Sequence, residues 1–181
     1  MTILLIGLGL FIGIHCTPLS STVHHGLVAK LGEKRFKAIF SLLALLGIIL
    51  MAWGMSIAPF EQVYTPPTWG RMAAIAAMPV ALILFVAANF ACHIRRLSRH
   101  PMMIGTLLWA SAHLTANGDL ASVLLFGSFA VWSVLVMIAS KKPASNATPN
   151  VRNDVISVVV GVAAYVLLAK GHGWLFGVPL V

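Results

Sequence analysis

Residues 100–140 read HPMMIGTLLWASAHLTANGDLASVLLFGSFAVWSVLVMIAS, and Asp119 is the only Lys, Arg, Asp or Glu among them. The two charge-free arms, 100–118 and 120–140, are 19 and 21 residues long. A helix rises about 1.5 Å per residue, so about 20 apolar residues cross the hydrocarbon core of a bilayer. The arms are continuously apolar and lack the alternation of a transmembrane barrel strand. Inside lipid the backbone must satisfy its own hydrogen bonds, which favours helices. Two membrane helices joined at Asn117-Gly118-Asp119 are therefore expected. Gly118 suits a left-handed residue ending the first helix, and Asp119 suits the cap of the second. The pair would run tightly antiparallel.

The same reading extends outward. Residues 1–29, 38–60, 72–94 and 155–169 also lack Lys, Arg, Asp and Glu, over 29, 23, 23 and 15 residues. Six transmembrane helices follow, the last extending toward the C-terminus to reach spanning length. The expected fold is an all-α, polytopic membrane helix bundle forming one domain over residues 1–181. Residues 140–153, rich in Pro, Ser and Asn, read as a linker before the last helix. Composition agrees. Charged residues are 9% of the chain and apolar residues 60%, against roughly 25% charged in a soluble domain. That excludes an ordinary soluble enzyme or a disordered chain. Cys16 and Cys92 are too few for a disulfide scaffold or a thiolate zinc site.

The net charge of +8 is a statement about orientation. Lys30, Lys34, Arg35 and Lys37 lie in loop one, Arg95, Arg96 and Arg99 in loop three, and Lys141, Lys142 and Arg152 in loop five. Only Arg71 and Lys170 fall on the other side. By the positive-inside rule the odd loops are cytoplasmic and both termini face outside. Topology accounts for the basic excess, so no nucleic-acid partner is implied, and the lipid bilayer is the partner. The N-terminal segment has no basic region before its apolar run and reads as a retained helix. Pro18 ends it, and residues 18–31, with His24 and His25, read as an interfacial piece. Gly9 and Gly13 form a GxxxG pair, which predicts a close helix seam.

Chemistry is to be sought among the seven histidines. His15, His93, His100 and His113 lie in or at the ends of expected helices, and ionisable groups at membrane depth are costly and usually functional. Imidazole is a common axial ligand of haem iron and, when neutral, adds no buried charge. Trp109, His113 and Asn117 recur at i, i+4 and i+8 and share one helix face. A plain packing seam with one satisfied histidine would give the same stripe. Arg95, Arg96, Arg99 and His100 form a cationic loop suited to propionates or phosphates. An anchor for lipid head groups would look the same.

Two stretches carry a family resemblance. One is Leu10-Phe11-Ile12-Gly13-Ile14-His15 with Pro18. The other is Arg99-His100-Pro101-Met102-Met103-Ile104-Gly105, Leu108-Trp109-Ala110-Ser111-Ala112-His113-Leu114 and Ala116-Asn117-Gly118-Asp119-Leu120-Ala121-Ser122. Together they closely resemble the NnrU family of bacterial membrane proteins. The resemblance implies a bacterial inner-membrane protein with a role in nitrite and nitric oxide metabolism (denitrification). That family is similar to 15-cis-zeta-carotene isomerase of plants, a membrane haem b enzyme with two histidine ligands. Carried over by position, the ligands fall on His15 and His113, the histidine before proline falls on His100, and a cysteine of the relative falls on Ala110. The resemblance thus implies haem b and, if the protein is catalytic, a redox-gated cis–trans isomerase. Arg95, Arg96 and Arg99 are candidates for the propionates, with His100, Trp109 and Asn117 around the cofactor. On straight helices His113 lies about 20 Å beyond His100, and His15 would sit nearer to His100. Two alternatives stand beside this reading. One is a non-catalytic assembly partner of a respiratory nitrite or nitric oxide reductase. The other is a methyltransferase of the isoprenylcysteine type, which the Arg-His-Pro stretch also resembles. Such enzymes use acidic residues, and here only Asp119 and Asp154 follow Glu61.

Overall fold

The computed structural model describes residues 1–140 and 148–178. Lys141 and Lys142 of the expected fifth loop, and with them residues 141–147, half of the expected linker, lie outside the described residues. The described chain is helical: α1 (Thr2–Cys16), a 3-10 turn (Thr17–Leu19), α2 (Ser21–Leu31), α3 (Glu33–Ser56), α4 (Gly70–Ala87), α5 (His93–Ser98), α6 (Pro101–Ala116), α7 (Leu120–Ala139) and α8 (Val151–Phe176). Among the described residues, α1 with its 3-10 extension, α3, α4, α7 and α8 are long and apolar enough to cross a membrane. Large apolar side chains point outward along them, with Leu42, Ile138 and Leu167 all more than 60% exposed. Such surfaces are stable against lipid and not against water. The protein is a multi-pass membrane helix bundle. α6, the remaining expected span, has 16 residues, or about 24 Å. Pro101 and the Asn117-Gly118 turn clip it at both ends.

The chain divides into two compact units. The first comprises Met1–Val63 and Asp119–Ser128. Its core is the seam between α1 and α3. Leu4, Gly7, Leu8 and Phe11 follow at i, i+3, i+4 and i+7 on α1, and Gly47, Met51 and Gly54 line the facing stripe of α3. A Cβ on Gly7 would lie 2.7 Å from the Met51 nitrogen and 2.9 Å from the Gly47 carbonyl oxygen. One on Gly54 would run into the Leu4 backbone. Small residues let the backbones touch, which is how helices associate where no hydrophobic drive exists between them. The expected Gly9–Gly13 seam is not formed. Both glycines are exposed with nothing within 4 Å of a built Cβ. Leu4, Gly7, Leu8 and Phe11 take the buried stripe instead, and Gly9 and Gly13 lie off it. α1 stops at Cys16, where Thr17 Oγ1 donates to the Ile14 carbonyl (2.7 Å) and Pro18 follows. The interfacial piece expected over 18–31 is α2, capped by the Ser20 hydroxyl and ended at Gly32, whose φ of 77° favours glycine.

The second unit comprises Tyr64–Gly118 and Phe129–Val181. α4 is its centre, with α6 along one side and α8 along another. Ala81 of α4 is fully buried, and a Cβ on Gly105 of α6 would lie 3.0 Å from its carbonyl oxygen. On the α8 side, Gly161 sits against the Ile83 backbone, where a Cβ would approach to 2.7 Å. The expected continuous helix over 72–94 is broken. α4 ends at Ala87, the Asn89 amide donates to the Phe85 carbonyl (2.9 Å), and the chain restarts as α5. Asn89 offers the backbone a side-chain alternative to the next helical turn. Conversely, the last helix is longer than its charge-free core of 155–169, because α8 begins at Val151 under an Asn150 cap and runs to Phe176. The Gly118 expectation is also corrected. Gly118 is not among the residues with positive φ; its Cβ would collide with the Tyr64 carbonyl, so the position needs room, not a left-handed turn. Asp119 caps α7 as expected, its carboxylate accepting from the Ser122 amide (2.9 Å).

Candidate functional site around His113

His113 lies in the last turn of α6. Its Nδ1 is 2.8 Å from the Trp109 carbonyl oxygen, and a carbonyl can only accept. Nδ1 therefore carries the proton and the lone pair is on Nε2. The Trp109 ring lies beside the imidazole at 5.4 Å and meets Phe129 edge-on. Asn117 continues the stripe: its backbone N–H and its side-chain amide both donate to the His113 carbonyl at 2.9 Å. The i, i+4, i+8 spacing thus becomes a ladder of hydrogen bonds down one face.

That end of α6 is held by a residue outside the stripe. The Tyr64 hydroxyl donates to the Asn117 carbonyl (2.7 Å) and contacts the Leu114 carbonyl, while the Tyr64 N–H donates to the Gly118 carbonyl (3.1 Å). Thr115 Oγ1 reaches the Gly70 carbonyl (3.1 Å) at the start of α4. Carbonyls at a helix C-terminus have no partner within the helix, and the Tyr64 bonds supply some.

The imidazole lines a partly open cleft of about 60 Å³ walled by α4, α6 and α8. Two polar residues of α8, Tyr165 and His172, share it, and the rest of the wall is apolar, including Ile75, Met78, Leu82 and Leu168. The His172 Nδ1 donates to the Val178 carbonyl (2.7 Å), so its lone pair too is on Nε2. Neither Tyr165 nor His172 stood out as a site residue in the sequence. The available signal was their i, i+7 spacing, which puts both on one face of a helix.

His15, in the first unit, repeats the geometry of His113. Its Nδ1 lies 2.7 Å from the Phe11 carbonyl oxygen, its ring stacks on Phe11 at 4.1 Å, and Phe40 of α3 meets it edge-on at 4.9 Å. The cationic residues are gathered elsewhere. Arg95 and Arg96 lie on α5, Arg99 turns the chain with φ 57°, and His100 caps α6. His100 and His113 stand at opposite ends of α6, about 20 Å apart along its axis. The structure therefore does not bring the arginines to His113. His93, the fourth intramembrane candidate, is held by Asp154 through Nδ1 at 2.6 Å. The same carboxylate accepts from the Ile94 amide (3.1 Å). Asp119 caps α7. Both acidic residues that a methyltransferase reading would need thus serve helix ends.

For haem, the two candidate ligands have fitting chemistry. Ligand histidines commonly hold their other N–H on a carbonyl, which orients the ring and fixes the tautomer. The cleft itself does not take a porphyrin. It is less than half of a cavity of about 150 Å³ that admits benzene, so a macrocycle on His113 would approach from outside it. Among the described residues, no three His, Cys, Asp or Glu side chains converge as a metal cluster.

No curated protein and no solved structure matches the chain. A family model described as NnrU protein matches residues 3–180. The match covers α1 through α8 and both histidine stripes, and the chain belongs to the NnrU family.

Proposed function

We propose that this protein binds haem b in the bacterial inner membrane and acts in nitrite and nitric oxide metabolism. His113 is the ligand on which the reading rests, and His15 is the other histidine that the resemblance to the plant isomerase names. One observation supports the assignment above the others. Both imidazoles donate Nδ1–H to the carbonyl four residues back, at 2.7 and 2.8 Å, which puts the lone pair on Nε2, the tautomer a haem ligand would use. Of the groups on α6, Trp109 flanks the His113 ring and Asn117 holds its backbone. A bound haem supplies one-electron and ligand-binding chemistry tuned by its axial residues. Ala110 stands, fully buried, where the plant relative has a cysteine, so the isomerase chemistry of that relative is not carried forward.

The test is the optical spectrum of protein purified in detergent from haem-replete cells. A sharp low-spin Soret band is expected. His113→Ala and His15→Ala should each weaken haem retention ten-fold or more or convert the band to a high-spin form, while His25→Ala, an exposed position, should not. Wild-type protein that takes up no haem, even on reconstitution, overturns the reading.

A further inference from the structure

The densest charge in the second unit lies around α5, at the far end of α6 from His113. Arg95, Arg96 and Arg99 follow one another closely there, and His100 comes next. The start of α8 is tied to the same segment. The Asn150 amide and the Asn153 side chain both donate to the Ala91 carbonyl, at 3.1 and 2.9 Å. Asp154 has both oxygens engaged, one with His93 Nδ1 at 2.6 Å and one with the Ile94 amide at 3.1 Å. Among the described residues, no carboxylate pairs with Arg95, Arg96 or Arg99. Neighbouring like charges repel, and a bound anion offsets that repulsion. Arg99 turns the chain from α5 into α6 at φ 57° and ψ −42°, a conformation that side chains rarely adopt, and it stands exposed there. Strain of this kind gathers at ligand-holding segments.

The chemistry of the patch selects the anion. All three cations are arginines, whereas loop one has three lysines and one arginine. A guanidinium fork matches two phosphate oxygens at once, which an ammonium group does not. Leu97 stands between these arginines and is 89% exposed. α5 begins at His93, shortly after the α4 span ends at Ala87, which sets it at the level of the lipid head groups. An apolar side chain among cations at that level fits acyl chains on one side and phosphates on the other. A soluble phosphate would leave Leu97 in water. We propose that α5 and the turn after it bind an anionic phospholipid, with Arg95, Arg96 and Arg99 holding the phosphate and Leu97 set among the acyl chains. The proposal does not rest on haem.

The experiment uses the full chain, delipidated in non-ionic detergent. It is offered phosphatidylglycerol or phosphatidylcholine of identical acyl chains, and bound lipid is counted by native mass spectrometry. A juxtamembrane arginine adds about five-fold to the attraction for an anionic lipid. The wild type should therefore prefer phosphatidylglycerol ten-fold or more, and less so as salt rises. Arg96→Gln and Arg99→Gln, each at an exposed position, should each lower the preference a few-fold. The triple variant Arg95→Gln, Arg96→Gln, Arg99→Gln should abolish it. Leu97→Ser should weaken both lipids and keep the preference. Lys30→Gln, Lys34→Gln, Arg35→Gln removes the same charge from loop one and should keep the preference too. Glycerol phosphate, equimolar with the lipid, should not displace it. A wild type without preference leaves the patch to an acidic protein partner and overturns the proposal. So does equal loss in the loop-one variant, which would make the effect one of overall charge, or displacement by glycerol phosphate, which would make the ligand a soluble phosphate. Each variant's thermal unfolding in detergent should match the wild type's, and loss of preference in the two single variants tests the proposal even if the triple variant does not fold.

Discussion

At the scale of single residues, the fold depends on where a Cβ has room. Gly118 and Gly13 are both glycines beside candidate ligands, yet their surroundings are opposite. A Cβ on Gly118 collides with the Tyr64 carbonyl and comes within 3.0 Å of Pro66, whereas one on Gly13 meets nothing within 4 Å. Gly118→Ala should therefore force the Tyr64 loop off the end of α6, destabilising the protein by about 3 kcal/mol or more. Gly13→Ala should be neutral or slightly stabilising, since alanine is favoured over glycine in a helix by about 1 kcal/mol. Thermal unfolding in detergent reads both. Equal responses would mean that the Tyr64 contact is not made. The Tyr64 hydroxyl gives a finer probe. Tyr64→Phe removes its bond to the Asn117 carbonyl, and loss of one such bond should lower stability by about 1 kcal/mol. None of this is readable in sequence, because the partner of Gly118 is more than fifty residues away in the chain.

At the scale of elements, charge-free length was a good guide to which segments are helices and a poor guide to where they stop. Ends are set by short-range chemistry. Asn89 halts α4, Pro18 halts α1, Asn150 starts α8 and Pro101 starts α6. The buried stripes were present in the sequence as i, i+3, i+4, i+7 patterns, but an all-apolar helix offers many such stripes. Gly9 and Gly13 matched a packing motif while the protein uses Gly7, Gly47 and Gly54. Which stripe is buried depends on the partner helix. The α4–α8 seam tests this. Gly161→Leu would drive its side chain into Ile83 and should cost about 1–3 kcal/mol by overpacking. A variant as stable as the wild type would show that α8 does not pack through Gly161. The His113 stripe was legible for a better reason: Trp109, His113 and Asn117 are local, and their hydrogen bonds run within one helix. Tyr165 and His172 were not, since only the docking of α8 on α4 brings them to the cleft that His113 also lines.

At the scale of the whole molecule, orientation follows from the distribution of Lys and Arg. Ten of the twelve lie in the odd loops, and the positive-inside rule predicts that those loops are cytoplasmic. If α6 crosses together with the five longer helices, the number of crossings is even and both termini are predicted outside. At 16 residues α6 is shorter than the hydrocarbon core is thick. Short spans are accommodated by local thinning of the bilayer or by neighbouring helices, and α6 lies against α4. Single cysteines introduced at Thr2 and at Val178, in a chain with Cys16 and Cys92 replaced, should both react with an impermeant maleimide applied to intact cells with a permeable outer barrier. Labelling of one terminus alone would mean that α6 does not cross.

Membrane residence, helical class and family were determined by the sequence alone. They rest on properties that need no partner: apolar length, the backbone's need for internal hydrogen bonds in lipid, and runs of identity along one chain. The true α1–α3 seam, the need for glycine at 118 and the docking of α8 that brings Tyr165 and His172 to the cleft lined by His113 were decided only by the tertiary structure. Each of those depends on which atoms from distant parts of the chain come within van der Waals or hydrogen-bond reach, and no local pattern encodes that distance.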